Sequence, residues 1–385
     1  MNLLVLDQFS DPGGAQQQLS DLLPAIQERG WQALFALPGD GEIFRRIRQS
    51  GFEAKRIMCG PFRSGQKSMA DAGRFVWQTP RLAQQIGYMA GQIEADLVYC
   101  NGPRLLPALP ASIPVVFHAH SYLAPGAVRR LAGWALRRTG ARVIANSEFV
   151  ADPWRGCVLA DRVSVIYNGV GPAPVSAGRA VRVVASIGRI APEKGQLEFL
   201  AAAEAIHRAI PAARFEIIGD PLFGGPDASP YERAVRERAA RLPVEFRGWI
   251  ADANSALASI DLLLVPSGPH EATTRVILEA YAAAVPVVAF ASGGIPEVVE
   301  DGVTGYLATS VAEMARRAIE ILDNPVQRAS LARQARDCWR TRFTLARYRS
   351  EVLAFLERAA AYETDRRQPA RGLPRPPASN RIRTA

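Results

Sequence analysis

The chain runs one pattern twice. Short apolar runs alternate with longer amphipathic stretches, stop at the proline- and glycine-rich segment GPAPVSAG at 171–178, and then begin again. In the first half the runs are 3–6, 33–37, 96–100, 114–118, 143–145 and 163–167, with helical periodicity at 16–29 and 79–94. The second half restarts with 181–187 and continues through RFEII, VEFRG, the buried run in IDLLLVPS and PVVAF. Strands that alternate with helices dictate parallel sheets covered on both faces, with ligands bound at the carboxyl ends of the strands. A length of 385 residues accommodates two such domains, since one domain commonly takes ~100–200 residues. The pattern places a first domain at 1–172, a hinge at 173–180, a second domain at 181–345, a closing helix at 346–363 and a tail at 364–385.

Composition narrows the class. Hydrophobic residues make up 48% and charged residues 22%, as in a soluble globular protein. MNLLVLDQF enters an apolar run without a basic lead, so it reads as a first strand and not a leader peptide. No run approaches the ~18 uninterrupted apolar residues of a membrane span, and the expected location is the cytoplasm. Cys59, Cys100, Cys157 and Cys338 form no C-x-x-C pair, which gives neither a disulfide framework nor a zinc site and suits a reducing compartment. The net charge is +9, but the tail alone carries six arginines against Asp365 and so holds +5 of it. A nucleic-acid partner is therefore not expected. The tail reads as disordered, either simply solvated or held near an anionic membrane surface at ~1 kcal/mol per basic side chain.

Chemistry gathers where strands turn into helices. After the first strand comes DQFSDPGGAQQQ, in which Gly13 and Gly14 let a phosphate or sugar approach the backbone, or serve as a plain turn. The dinucleotide fingerprint G-x-G-x-x-G is absent, which counts against hydride transfer. Residues 59–80 read as a loop and short helix on the acceptor side. FHAHS places His118 and His120 on one side of a strand, as a structural pair, as cleft residues or as two metal ligands lacking the usual third. The first turn of the second half, GRIAPEKGQLEFL, is cationic: Arg189 and Lys194 can hold a phosphate. Finally, 266–307 reads as loop, helix, buried strand and glycine turn, with Glu271 in the loop and Glu279 in the second turn of a helix capped by Thr273 or Thr274. Two vicinal hydroxyls would suit the Glu279 carboxylate.

This last stretch resembles the E-x7-E region of the retaining glycosyltransferases of family 4. GRIAPEKG at 188–195 is similar to that family's G-R-x-x-P-E-K-G, and IANSEFV, Asn168-Gly169-Val170 and GGIPE fall where it has markers. The resemblance implies an α/β fold of GT-B type: two facing Rossmann-like doubly wound domains, with a C-terminal helix crossing back to the first. It implies transfer of a sugar from a nucleotide-diphosphate sugar to an acceptor hydroxyl with retention of configuration, in glycan, glycolipid or cell-surface polysaccharide synthesis. Arg189 and Lys194 would hold the distal phosphate, Glu279 the ribose, Glu271 the sugar ring, and the backbone of Ala272, Thr273, Thr274 and Arg275 would lie alongside. Gly14 would meet the donor, and His120 would act at the cleft. The chain departs from the family at Gly171, usually acidic, and at 272–275, where glycines are common. No D-x-D pair occurs, so neither a metal nor another cofactor is expected. An epimerase on the same fold, or a non-catalytic sugar-nucleotide binder, are the alternatives.

Overall fold

In a computed structural model of the chain, residues 1–60, 69–175, 182–221, 229–250 and 253–367 are described. Two parallel sheets organise them. The first contains β1 (Asn2–Asp7), β2 (Gln32–Leu37), β3 (Glu53–Arg56), β4 (Leu97–Asn101), β5 (Val115–Ala119), β6 (Arg142–Ala145) and β7 (Val163–Val165), in the order β3-β2-β1-β4-β5-β6-β7. The second contains β8 (Val183–Ile187), β9 (Arg214–Ile218), β10 (Val244–Gly248), β11 (Leu262–Val265), β12 (Val287–Phe290) and β13 (Tyr306–Ala308), in the order β10-β9-β8-β11-β12-β13. Both orders reverse direction once, between β1 and β4 and between β8 and β11. A crevice opens at the carboxyl ends there, and that is where an open α/β sheet binds its ligand.

The first sheet is interleaved with α1 (Gly14–Glu28), α2 (Glu42–Gln49), α3 (Met69–Gln92), α4 (Ala127–Thr139) and α5 (Glu148–Arg155). The second carries α6 (Gln196–Ala209), α7 (Pro230–Ala239), α8 (Ala253–Leu257), α9 (Arg275–Ala282), α10 (Val311–Asp323) and α11 (Pro325–Arg342), and the last helix, α12 (Leu345–Arg367), returns to the first. Strand alternation divides the side chains between two faces. Leu4 and Leu6 of β1 join the core under α3, α4 and α5, whereas Leu3 and Val5 join the core under α1 and α2. α12 completes that second core, burying Tyr348, Val352, Leu353 and Leu356 with Leu19, Leu22 and Leu23 of α1. At about 2 kcal/mol for each large apolar side chain buried, this seam fixes the closing helix on the first domain.

Several boundaries differ from the pattern. β3, with sequence EAKR, has no apolar run to announce it; it is an edge strand, paired through β2 alone. The helix expected from Thr79 starts at Met69 and continues through Pro80. Its first turns hide Gln78 and expose Val76 and Trp77, so the periodicity there is inverted. Of the loop expected at 59–80, residues 61–68 lie outside the described residues, as do 176–181 of the hinge region. The closing helical region is two helices, broken at Phe343 and Thr344, where the backbone turns aside to pair with Val170. α12 then runs to Arg367, four residues into the expected tail, and 368–385 lie outside the described residues.

Candidate active site

In the second sheet, β8 and β11 end side by side, and the loops that follow them bring Lys194 and Glu271 together. Two glycines allow it. Gly195, at φ 71°, turns the cationic loop into α6, and a Cβ there would fall 2.0 Å from the Pro266 carbonyl oxygen. Gly293, at φ 54°, forms a shelf under Glu271: a Cβ would fall 1.8 Å from the Glu271 carbonyl oxygen, which accepts from the Gly294 N–H at 3.0 Å. Above that shelf the Lys194 ammonium donates to Glu271 Oε2 at 2.5 Å, both side chains largely buried. Arg189 pairs with Glu193 one turn away. Lys194 and Glu271 thus form a largely buried ion pair at the switch point of the second sheet, with Arg189 on the same loop as Lys194.

The helix after Glu271 begins as expected but is not capped as expected. Thr274 occupies the cap position without a side-chain hydrogen bond to the first turn. The Thr273 hydroxyl instead donates to the Asn146 carbonyl in the first domain, at 3.3 Å. Side chains crowd this loop where glycines would leave it open; Ala272, Thr273 and Thr274 are all buried. Arg275 departs further. Its backbone lies beside the crevice, but its guanidinium donates to Glu279 Oε1 at 2.7 Å and to Asp21 Oδ2 of α1 at 2.6 Å. Burial opposes the Arg275 charge, and the carboxylates of Glu279 and Asp21 outweigh it, so its pKa rises. The side chain is a bridge between domains.

The first sheet supplies the opposite wall. Gly14 opens α1, and a Cβ on it would meet nothing within 4 Å, so its backbone is approachable. His118 and His120 do share a side: their rings stack at 4.0 Å. His118 is buried, with Nδ1 on the Tyr99 hydroxyl at 2.6 Å. His120 is half-buried at the mouth of β5, its Nε2 2.5 Å from Asn101 Oδ1. Burial holds His120 down to about 3 and His118 also well below the usual value, so both are neutral near pH 7. Among the described residues no three His, Cys, Asp or Glu side chains converge as a metal set.

Three further contacts join the walls, and sequence reading missed them. Asn146 donates to the His120 carbonyl at 3.2 Å while its own carbonyl accepts from Thr273. His270, next to Glu271, stacks on Tyr122 at 5.2 Å, and Tyr122 stacks on Phe149 at 4.6 Å. Glu297 of GGIPE accepts from the backbone N–H groups of Glu148 and Phe149 at 2.7 and 2.8 Å, and from the Tyr167 hydroxyl at 2.9 Å. A carboxylate on the free amides of the first turn of α5 is favourable both as a hydrogen-bond acceptor and against the helix dipole. Only the markers around Asn146 and GGIPE hinted at any of these roles.

Two family models match the chain. One, described as Glycosyltransferase Family 4, covers residues 12–173, and one, described as Glycosyl transferases group 1, covers residues 181–324. The chain belongs to the family 4 glycosyltransferases. Its facing sheets and returning helix are the GT-B architecture. A D-inositol 3-phosphate glycosyltransferase of Mycolicibacterium smegmatis is 32% identical over 265 residues, 59% of each chain. The family 4 chain thus spans only part of that relative's length. Lipopolysaccharide core biosynthesis glycosyltransferase LpsE of Rhizobium meliloti is 26% identical over 83% of this chain and 88% of its own. The crystal structure of Anabaena HepE in complex with UDP and glucose superimposes with a TM-score of 0.76 at 26% identity, over 93% of this chain and 99% of that one.

Proposed function

We propose that this family 4 member transfers a sugar from a UDP-linked donor to an acceptor hydroxyl, with retention at the anomeric carbon. The observation that carries the reading is the group Arg189, Lys194 and Glu271 at the β8/β11 switch point; the UDP in HepE supports the choice of base. Charge builds on the leaving diphosphate as the glycosidic bond breaks, and fixed cations there stabilise the transition state more than the ground state. Arg189 and Lys194 take that role without a metal. Glu271, within reach of the Lys194 ammonium, positions the sugar and offsets positive charge at the anomeric carbon. Glu279 accepts the ribose hydroxyls with the oxygen that Arg275 leaves free.

Thermal denaturation against UDP, GDP and ADP, without added metal, tests the reading. UDP is expected to stabilise the native state by ~2.7 kcal/mol at a hundred times its dissociation constant, and Lys194→Ala to abolish the shift. Stabilisation by GDP alone would reassign the base. No shift with any of them, with or without magnesium, would favour a fold without this chemistry. Product formed from donor with no acceptor present would favour the epimerase.

The acceptor we propose is lipid-linked, met at an anionic membrane surface. LpsE, by its name, works in lipopolysaccharide core synthesis. α3 and α4 flank the same 3-10 turn, Pro103–Ala108, on one face of the first sheet. On the outside they expose Val76, Trp77, Val128, Leu131 and Trp134, with Arg81 over Trp77 and Arg138 over Trp134. α4, AVRRLAGWALRRT, holds four arginines and no acid. Aromatic and basic side chains together suit a headgroup layer. The protein is expected to sediment with phosphatidylglycerol vesicles, and Trp77→Ser with Trp134→Ser to release it; equal sedimentation with the substitutions would remove this face from the proposal. No helix of the described residues is long and apolar enough to cross a membrane.

A further inference from the structure

A buried polar chain runs beneath His120 and has no part in the mechanism above. Asp7 ends β1 and Asn101 ends β4, and the two are register partners at the switch point of the first sheet. Asp7 is fully buried. Its Oδ1 accepts from the Phe9 N–H and from Gln16 Nε2, each at 2.9 Å, and its Oδ2 accepts from Asn101 Nδ2. Asn101 Oδ1 in turn meets His120 Nε2 at 2.5 Å.

The direction of this chain follows from what each group can do. An amide has one donor end and one acceptor end. While Asp7 is a carboxylate it can only accept, so Asn101 turns its NH2 to Asp7 and its carbonyl to His120. A carbonyl only accepts, so neutral His120 carries its proton on Nε2 and leaves a lone pair on Nδ1. If Asp7 takes up a proton from solvent, every bond in the chain can reverse: the Asp7 O–H donates to the Asn101 carbonyl, the Asn101 NH2 donates to His120 Nε2, and the imidazole proton sits on Nδ1.

We propose that Asp7 and Asn101 are positioning residues that set the tautomer of His120, and so decide whether it accepts a hydrogen bond from the donor sugar or gives one. The inference rests on His120 facing that sugar. An accepting imidazole pushes electron density onto the sugar hydroxyl as positive charge develops at the anomeric carbon, so the form with ionised Asp7 is the productive one.

The surroundings place the switch near neutrality. Burial pushes Asp7 up to about 7, against the hydrogen bonds from Asn101, Phe9 and Gln16 that favour its charge. The other titratable groups facing it keep one state there. Burial raises Tyr99 and Cys100 on β4 and takes Cys59, which follows β3, up to about 12. Burial also keeps His118 and His120 neutral, and it lowers the pKa of Arg104, the described cation in the turn after β4.

Two measurements test this. The first is kcat against pH. The wild-type value is expected to climb as pH rises through about 7, because the productive form appears as Asp7 ionises. Asp7→Asn presents an NH2 to the Asn101 carbonyl and holds the reversed chain at every pH, so kcat falls about tenfold or more and loses its rising limb. Adding Asn101→Asp to Asp7→Asn restores an acceptor for His120 Nε2–H and is expected to recover most of the lost rate, which a merely structural role would not do. The second is the 15N NMR shift of His120 at pH 8, with Nε2–H expected in the wild type and Nδ1–H in Asp7→Asn. An unchanged tautomer in Asp7→Asn, or a double variant no better than the single one, overturns the proposal. If no donor is turned over by any form, the proposed function fails, and the NMR measurement still decides the tautomer.

Discussion

Lys194→Ala is expected to lower kcat by about a hundredfold, ~3 kcal/mol of transition-state stabilisation. Two losses combine in that figure. The leaving diphosphate loses a cation held within the site, and Glu271, largely buried and paired with Lys194 at 2.5 Å, is left as an uncompensated anion facing the incoming phosphates. Arg189→Ala removes only the first kind of support, since its partner Glu193 is half-exposed and can turn to water. Its loss is therefore expected to be of the same order but smaller. Steady-state kinetics with saturating acceptor separates the two. Less than a threefold change in both variants would take the cationic loop out of the mechanism.

Arg275→Ala is the second large effect. Its guanidinium is the common partner of Asp21 and Glu279, carboxylates from two different domains with side chains only 12% and 15% exposed. Removing the cation leaves two poorly solvated anions facing each other across the domain boundary. Breaking a buried pair this way costs about 3–5 kcal/mol. Part of that cost is expected as a lower Tm. The rest is expected in kcat/KM for the donor, about tenfold or more, because the domains are pushed apart and Glu279 loses its orientation. Asp21→Asn cuts only the link between domains. A double-mutant cycle on Asp21 and Arg275 is expected to give a coupling of about 1–3 kcal/mol. Additive effects in that cycle would show the bridge to be incidental.

How much of this was legible in the sequence depended on the range over which each signal acts. The strands that pack on both faces announced themselves as apolar runs, and β1, β4, β5 and β11 lie within a residue or two of where those runs fall. Lys194 and Glu271 were legible because strand ends concentrate them. Arg275 was read only for its backbone, and nothing local connects its side chain to Asp21, which sits in a helix at the other end of the chain. Glu297 looked like part of a turn, yet its carboxylate serves the amides of α5. Asp7 and Asn101 were hidden for a different reason. At the ends of apolar strands they read as strand termini, and only the register of β1 with β4 makes them a pair.

The backbone pairing at Val170 carries a consequence for motion. The chain passes between the domains twice, and the two passages touch. The Val170 N–H donates to the Phe343 carbonyl, and the Val170 carbonyl accepts from the Leu345 N–H, both at 3.0 Å, with Trp339 Nε1 adding a bond at 3.1 Å. Gly169 is pressed so closely on Thr344 and Tyr348 that a Cβ would lie 2.5 Å from the Thr344 carbonyl oxygen. Two tethers fastened at one point act as a pin. Rocking of the halves would pivot at that pin, and the distance between a probe on α1 and one on α9 would read how far they open.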